Sequence, residues 1–364
     1  MPADGGDLVL LRTPQDAFTV TYGTTELGTT SPPRADTHFR IASNTKTMTA
    51  AVIMQLAQEG KLNFSDPVSQ YVSGVPNGDN ITLAELLEMR SGLYNYTEVP
   101  ELAASLDQDP TKVWTPQELL AIAFARPPNF PPGTAFEYCN TNYALLGLVA
   151  EQVDGRPLAQ AMQDRLFGPL GLQHTLLPAS TSNTIPEPYS HGYLYGSSSV
   201  ALVGTPPYSP ELQAVARAGT LLPTDYTGLN HSFATAAGGA ISTANDLATW
   251  TQALVTGRML DATYQRRWLE SVRPEDSSKP DGQQYGYGIT QVRWGPSTIY
   301  FHGGETPGFN SFMGHDPASQ MTLVVWTNLT VSLDERPTAN ALMLKVLDQI
   351  YVVSPLSPAA TQSP

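Results

Sequence analysis

Short alternating apolar segments lie near both ends of this chain, and apolar residues at helical spacing fill the stretch between them. Residues 8–11 and 18–22 are apolar or β-branched runs separated by Thr13-Pro14-Gln15-Asp16, which predicts the two strands of a hairpin. From Ser43 the period changes. Met48, Ala51, Val52, Met54 and Leu56 fall three and four apart until Gly60, the pattern of a buried helix with its stop signal. Between residues 64 and 235 the chain reads as helices joined by Pro- and Gly-rich loops. Two of their starts, Thr82-Leu83-Ala84-Glu85 and Thr115-Pro116-Gln117-Glu118, are capping boxes, the second with Pro at the first helical position. Further helices are expected over 144–153 and 158–166. Residues 181–230 show no sustained period and carry Pro186, Pro188, Pro206, Pro207 and Pro210; they predict a long irregular excursion, and such loops tend to bind ligands.

After the excursion come Gly238-Gly239-Ala240-Ile241, a helix capped by Thr243 with Asp246 three residues on, and strands at 289–292, 298–302 and 321–328. Residues 338–351 predict a helix covering one face of a sheet, and the Pro-rich end from 355 to 364 a disordered tail. A sheet with strands from both chain ends must be assembled from distant pieces. The expected division is a discontinuous sheet domain, 1–63 with 236–354, and a mostly helical insertion, 64–235.

Charge narrows the classes of function. With 19 Lys+Arg against 33 Asp+Glu the formal net charge is -14, and no Lys/Arg-rich run supplies the clustered cations that nucleic-acid phosphates require. No apolar run approaches the roughly 18–20 residues of a membrane span. A single cysteine, Cys139, excludes an internal disulfide and a Cys-based zinc site, and none of the six histidines pairs with another at i, i+4; no metal is expected. The N-terminus lacks the basic and apolar regions of a secretory signal, leaving a cytoplasmic start or a trimmed leader.

Three short motifs could carry chemistry. Ser43-Asn44-Thr45-Lys46 opens a helix, where residues three apart share a face, so an amine stands beside a hydroxyl and a Lys disfavoured as ammonium by burial can act as base. A capped surface helix explains the same four residues. Tyr138-Cys139-Asn140 offers a phenol and a carboxamide on one side of an extended segment, or else a core Tyr followed by a helix cap. His302-Gly303-Gly304 ends a strand where glycine admits a close approach of ligand or backbone, or holds a buried structural histidine. Cys139 is expected at the edge of a cleft, the alternative being a small buried apolar side chain.

In this order the three motifs resemble the fingerprint of the serine β-lactamase and DD-peptidase superfamily, in its class C, low-molecular-weight penicillin-binding-protein branch. The resemblance extends through Phe39-Arg40-Ile41-Ala42-Ser43, Leu86-Leu87 to Ser91-Gly92-Leu93, Pro132-Gly133 to Tyr138, Phe167-Gly168-Pro169-Leu170-Gly171-Leu172 and Gly238-Gly239 to Asp246-Leu247. It covers about residues 7 to 350 and implies an α/β fold of the α+β type: an antiparallel sheet flanked by helices, a mostly helical domain inserted, and the site in the cleft between them. It implies acyl transfer without a cofactor. Ser43 would attack a carbonyl, Lys46 would help deprotonate it, Tyr138 would pass the proton to the leaving group, and Asn140 would hold a substrate amide. His302 would stand in for a more usual lysine as a donor. Gly303 and Gly304 would border the substrate, and the N–H groups of Ser43 and Glu305 would form the oxyanion hole.

Two departures bear on specificity. Carboxypeptidases of the branch place an Arg shortly after the Tyr-Gly-x-Gly segment, whereas here Tyr285-Gly286-Tyr287-Gly288 is followed by Ile289-Thr290. Arg293 is the nearest cation that could bind a substrate carboxylate. The position often held by Thr is Glu305, whose acid would repel one. Both departures count against carboxypeptidase specificity; the activity the resemblance implies is hydrolysis of D-Ala-D-Ala-like peptides or D-amino-acid amides, with a covalent β-lactam adduct as a further expectation. The alternatives are a carboxylesterase of the class VIII type, a weak β-lactamase, or a non-catalytic binding or sensor protein. The resemblance usually includes a helix before the first strand, so a start at the strand suits an extracytoplasmic protein, secreted, periplasmic or envelope-bound, without its leader.

Overall fold

A computed structural model of the chain describes residues 5–203 and 208–353; the expected tail lies outside them. The predicted hairpin is β1 (Asp7–Arg12) paired with β2 (Ala17–Tyr22), Val9 opposite Val20. Phe39–Arg40 (β3) pairs with Ile241–Ser242 (β6), and Tyr193–Leu194 (β4) with Thr224–Asp225 (β5), each a two-stranded antiparallel piece. The remaining strands are β7 (Arg273–Pro274), β8 (Gln284–Tyr285), β9 (Thr290–Trp294), β10 (Ser297–Thr306), β11 (Phe309–Asp316) and β12 (Met321–Thr327). The main sheet has eight strands in the order β2-β1-β12-β11-β10-β9-β8-β7, and its pairs are all antiparallel. Both chain ends thus meet in one sheet, with Val9 opposite Val325 across β1 and β12.

Alternation along β12 shows how the two faces are covered. Leu323 and Val325 pack with Ala339, Met343 and Leu347 of the helix Thr338–Asp348. Val324 and Trp326 point the other way, into the larger core built with the helices Thr45–Gln58, Asn140–Asp154 and Ala244–Val255. There the Trp326 ring stacks on Phe39 with centroids 4.7 Å apart. One apolar cluster runs from the sheet through the helical stretch, from Leu10 to Leu120 and Met162.

Local sequence signals set the helix starts. Both capping boxes form, Thr82 with Glu85 and Thr115 with Glu118, each replacing lost backbone bonds at a helix start for about 1 kcal/mol. Thr243 accepts from the Asp246 N–H. The segment expected over 158–166 is a helix only to Met162 and continues as a π turn, Gln163–Phe167.

Several elements were not foreseen. β11 is buried at every position, with Phe312 facing one core and Met313 the other, and its polar residues fall in the adjacent pairs Asn310-Ser311 and His315-Asp316 instead of alternating, so no period of two marks the strand. The helices Pro100–Gln108 and Ala262–Leu269 also lack a prior reading. The 181–230 excursion contains β4, β5 and the helices Ser198–Leu202 and Pro210–Arg217, more order than its lack of period suggested. No helix among the described residues is long and apolar enough to cross a membrane.

Candidate active site

The chain reaches Ser43 through a tight turn. After β3, Ala42 takes φ 47, a left-handed conformation in which its small side chain keeps strain low, and a 3-10 turn, Ala42–Asn44, leads into the helix Thr45–Gln58. Side chains lock the turn. Asn44 Nδ2 donates to Ile41 O at 3.0 Å and to Ser311 Oγ of β11 at 2.9 Å. Thr45 Oγ1 donates to Ala42 O at 2.7 Å and accepts from Ala240 N at 3.1 Å. Ala42 and Asn44 are buried, whereas Ser43 is partly exposed and lines a cleft of about 440 Å³.

Lys46, fully buried, stands one turn below. Its Nζ lies 2.9 Å from Ser43 Oγ, 2.7 Å from Asn140 Oδ1 and 2.7 Å from Ala237 O. Burial pushes its pKa well below the ordinary value, partly offset by Cys139. A neutral amine suits these partners: two N–H groups donate to the two carbonyl oxygens, and the lone pair faces the serine hydroxyl. That arrangement can take a proton from Ser43.

Tyr138 lies beside this pair, its ring centre 4.8 Å from Lys46 Nζ. Burial raises its pKa, partly countered by a hydrogen bond with Ser43, so it is a phenol able to give a proton. His302 differs from its expected part. Burial, with Lys46 adding to it, drives its pKa down to about 3, so the ring is neutral at neutral pH. Its Nδ1 is 2.6 Å from Gly303 O and its Nε2 is 3.1 Å from Tyr285 OH. The carbonyl fixes the proton on Nδ1, and Nε2 accepts from Tyr285. His302 thus has no N–H free for a substrate, and Tyr285, read only as part of Tyr-Gly-x-Gly, stands between the two pieces of the site.

Asn140 has a partner the sequence did not reveal. Its Oδ1 accepts from Lys46, its Nδ2 donates to Thr97 Oγ1 at 2.9 Å, and its own N–H donates to Asn95 Oδ1 at 3.1 Å. One end of the carboxamide thus holds Lys46, while its second Nδ2 hydrogen remains for a further partner, and Asn140 lines the cleft.

The glycines divide. A Cβ on Gly304 would sit 2.3 Å from Ile41 O and 2.6 Å from Ser311 Oγ, so β10 can lie against the turn before Ser43 only with glycine there. At Gly303 the nearest atoms would be 3.8 Å away, which leaves room toward the cleft. Gly288, at φ 72, brings a backbone against the nucleophile helix where a Cβ would meet Ala50 at 2.7 Å.

Arg293 is not brought to the cleft. It is exposed on β9, opposite Thr298, while Thr290, three residues earlier and on the other face of the strand, lines the cleft. Cys139 is likewise absent from the edge: it is buried, with Sγ 3.3 Å from Leu93 O, and burial raises its thiol to about 11. Sequence reasoning singled out one acid, Glu305, and missed two more, Glu98 and Glu275. Glu98, Glu275 and Glu305 line the cleft, and no Lys or Arg does among the described residues. Burial raises Glu275, and raises Glu305 to about 7. Ala201 and Leu202, from the excursion, close another side. No group of three or more His, Cys, Asp or Glu among the described residues could hold a metal ion.

A serine hydroxyl against a buried amine, with a phenol beside both, matches the chemistry of a known profile: the Beta-lactamase family description fits residues 4–348. The chain belongs to the Beta-lactamase family. Within it, the chain is similar to the Bacillus subtilis protein PbpX, named for penicillin binding, 28% identical over 295 residues, 80% of this chain and 62% of PbpX. It is 31% identical to Protein flp of Staphylococcus aureus over 47% of this chain and 34% of that protein, so it spans less than two thirds of either relative. Two solved structures match along nearly their whole length. A D-stereospecific amidohydrolase from Streptomyces sp. superposes with a TM-score of 0.81 at 29% identity, covering 97% of this chain and 96% of the other. A D-amino acid amidase from Ochrobactrum anthropi SV3 gives 0.78 at 26%, covering 95% and 93%. These relatives support a serine hydrolase of this superfamily.

Proposed function

We propose that the chain hydrolyses amides of D-amino acids bearing a free ammonium group, through an acyl-enzyme on Ser43. The supporting observation is the lining of the cleft. Glu98, Glu275 and Glu305 face it without a Lys or Arg among the described lining residues, and partly desolvated carboxylates are stabilised by an incoming cation. The same acids disfavour a substrate's terminal carboxylate, which weakens the D-Ala-D-Ala carboxypeptidase reading. The D-configuration rests on the names of the two structural relatives.

In this reading Ser43 Oγ bonds to the carbonyl carbon while its proton passes to the lone pair of Lys46. Tyr138 gives its proton to the leaving nitrogen as the C–N bond breaks and recovers one from Lys46. Water then attacks the ester by the reverse relay. The N–H groups of Ser43 and Glu305 receive the oxyanion.

Initial rates on D-phenylalanine amide, its N-acetyl derivative and its methyl ester test the proposal. Removing the ammonium forfeits a charge-assisted contact of roughly 1.5–3 kcal/mol, so N-acetylation should lower kcat/KM about 10- to 150-fold. Equal or faster turnover of the acetylated amide overturns the ammonium assignment. Turnover of the ester without the amide would make the protein a carboxylesterase.

A further inference from the structure

The cleft around Ser43 has two ends. Ser43, Thr97, Asn140, Leu202 and Glu305 border both the cleft and a recess of about 30 Å³. Phe136, Tyr138, Glu275, Tyr285, Thr290 and Phe301 border the cleft alone. Rings hold this second group together: the Tyr285 centroid lies 5.7 Å from that of Phe136 and 6.1 Å, edge to face, from that of Tyr138. Glu275 follows β7, and its N–H donates to Gln283 O at 3.1 Å, just before β8 and Tyr285. Burial above all raises the Tyr138 phenol, and the charge of Glu275 adds to the rise, so the carboxylate and the phenol share one neighbourhood. Glu275 is half-buried. Gln283 Nε2 donates to its Oε1 at 2.9 Å, and no donor among the described residues meets its Oε2. Burial raises its pKa, offset in part by Gln283 and Arg90. Arg90 is 7% exposed, stands outside the cleft lining and donates Nη2 to Pro274 O at 2.6 Å, with no ion pair to Glu275. The carboxylate therefore meets the cleft with one oxygen open.

Tyr138 is the acid that protonates the departing nitrogen in the hydrolase reading above, on which this inference rests, so the group that leaves lies at the Glu275 end. We propose that this end is a leaving-group subsite for a cation, and that the amides cleaved best are D-aminoacyl amides of short diamines. The far ammonium of such a substrate meets Glu275 Oε2, and its methylenes run beside Phe136 and Phe301, both half-buried; aromatic faces favour an alkyl chain that ends in a cation. Thr290 on the same wall is neutral, and Arg293 is turned to the other face of β9, so a leaving group that ends in a carboxylate meets an acid and no base. The bonds are those of hydrolysis. The C–N bond to the diamine breaks, Tyr138 supplies the proton to its nitrogen, and water takes the acyl group from Ser43 as the free amino acid. The recess with Glu305 is left for the acyl half.

Three amides of D-phenylalanine that share the acyl half and differ at the far end of the amine test the subsite: the 4-aminobutyl, the pentyl and the 3-carboxypropyl amide. In wild type kcat/KM should fall in that order, with the 4-aminobutyl amide about tenfold above the neutral pentyl amide, as expected for one charge-assisted contact. Glu275→Gln should bring those two within about threefold of each other, and Glu275→Arg should lift the 3-carboxypropyl amide above the 4-aminobutyl amide. Ratios between substrates survive a general fall in activity, and the order in wild type needs no variant. Equal rates on the 4-aminobutyl and pentyl amides in wild type, or a preference for the cation that persists in Glu275→Gln, overturns the proposal and leaves the hydrolase reading intact. No turnover of any of the three, nor of D-phenylalanine amide itself, would overturn both.

Discussion

Replacing Asn140 by Leu separates two roles for one carboxamide. In the structure Oδ1 lies 2.7 Å from Lys46 Nζ and Nδ2 lies 2.9 Å from Thr97 Oγ1, while Leu has a similar volume and no polar atom. A neutral Lys46 then keeps one of its two carbonyl acceptors, Ala237 O, and one buried N–H goes unsatisfied at a cost of about 1–3 kcal/mol. If that loss falls on the reactive geometry, kcat/KM drops about 5- to 150-fold. The loss is at the proton acceptor and not at the scissile group, so the amide and the methyl ester of D-phenylalanine should suffer equally. The direction of the pH effect follows too. The carboxamide oxygen favours the ammonium form of Lys46, so its removal lowers the Lys46 pKa further, and the acid limb of the kcat/KM profile, where activity falls as Lys46 gains its proton, should move to lower pH. Steady-state rates on both substrates across the acid range give the answer. A loss confined to the amide, with the ester spared and the acid limb in place, would mean that Asn140 holds the substrate, as the sequence alone suggested.

Ser43→Ala should abolish turnover and the mass shift of the acyl-enzyme in intact-mass spectrometry while moving the melting temperature by only a few degrees, since it removes one hydroxyl at a partly exposed turn; residual turnover above roughly a hundredth of wild type would contradict the assignment. Glu305 has a folded pKa of about 7 against 4.5, so the folded state holds its proton more tightly and stability from this group is fully present below about pH 4.5 and lost as pH rises through about 7. Glu305→Gln should therefore gain stability relative to wild type between those values in denaturant titrations, and a constant difference across that range would refute the shift. Cys139→Ser should keep wild-type kcat, because the thiol is buried against Leu93 and away from the cleft; a loss like that of Ser43→Ala would make the sulfur catalytic.

The sequence by itself determined whatever rests on near neighbours along the chain. The hairpin, both capping boxes, the helix after Ser43 and the i, i+3 placement of Ser43 and Lys46 follow from period, caps and turns within a few residues. The order of the three motifs was enough for the family resemblance. Tertiary structure decided what depends on environment. β11 could not be read because both of its faces are buried, which removes the alternation that marks a strand. The partners of Asn140 Oδ1 and of His302 Nε2 are Lys46 and Tyr285, residues 94 and 17 positions away. The exposure of Arg293 follows from strand alternation once β9 is fixed in register against β10. The acid lining gathers residues from several elements into one cleft, and burial there gives a charge its cost.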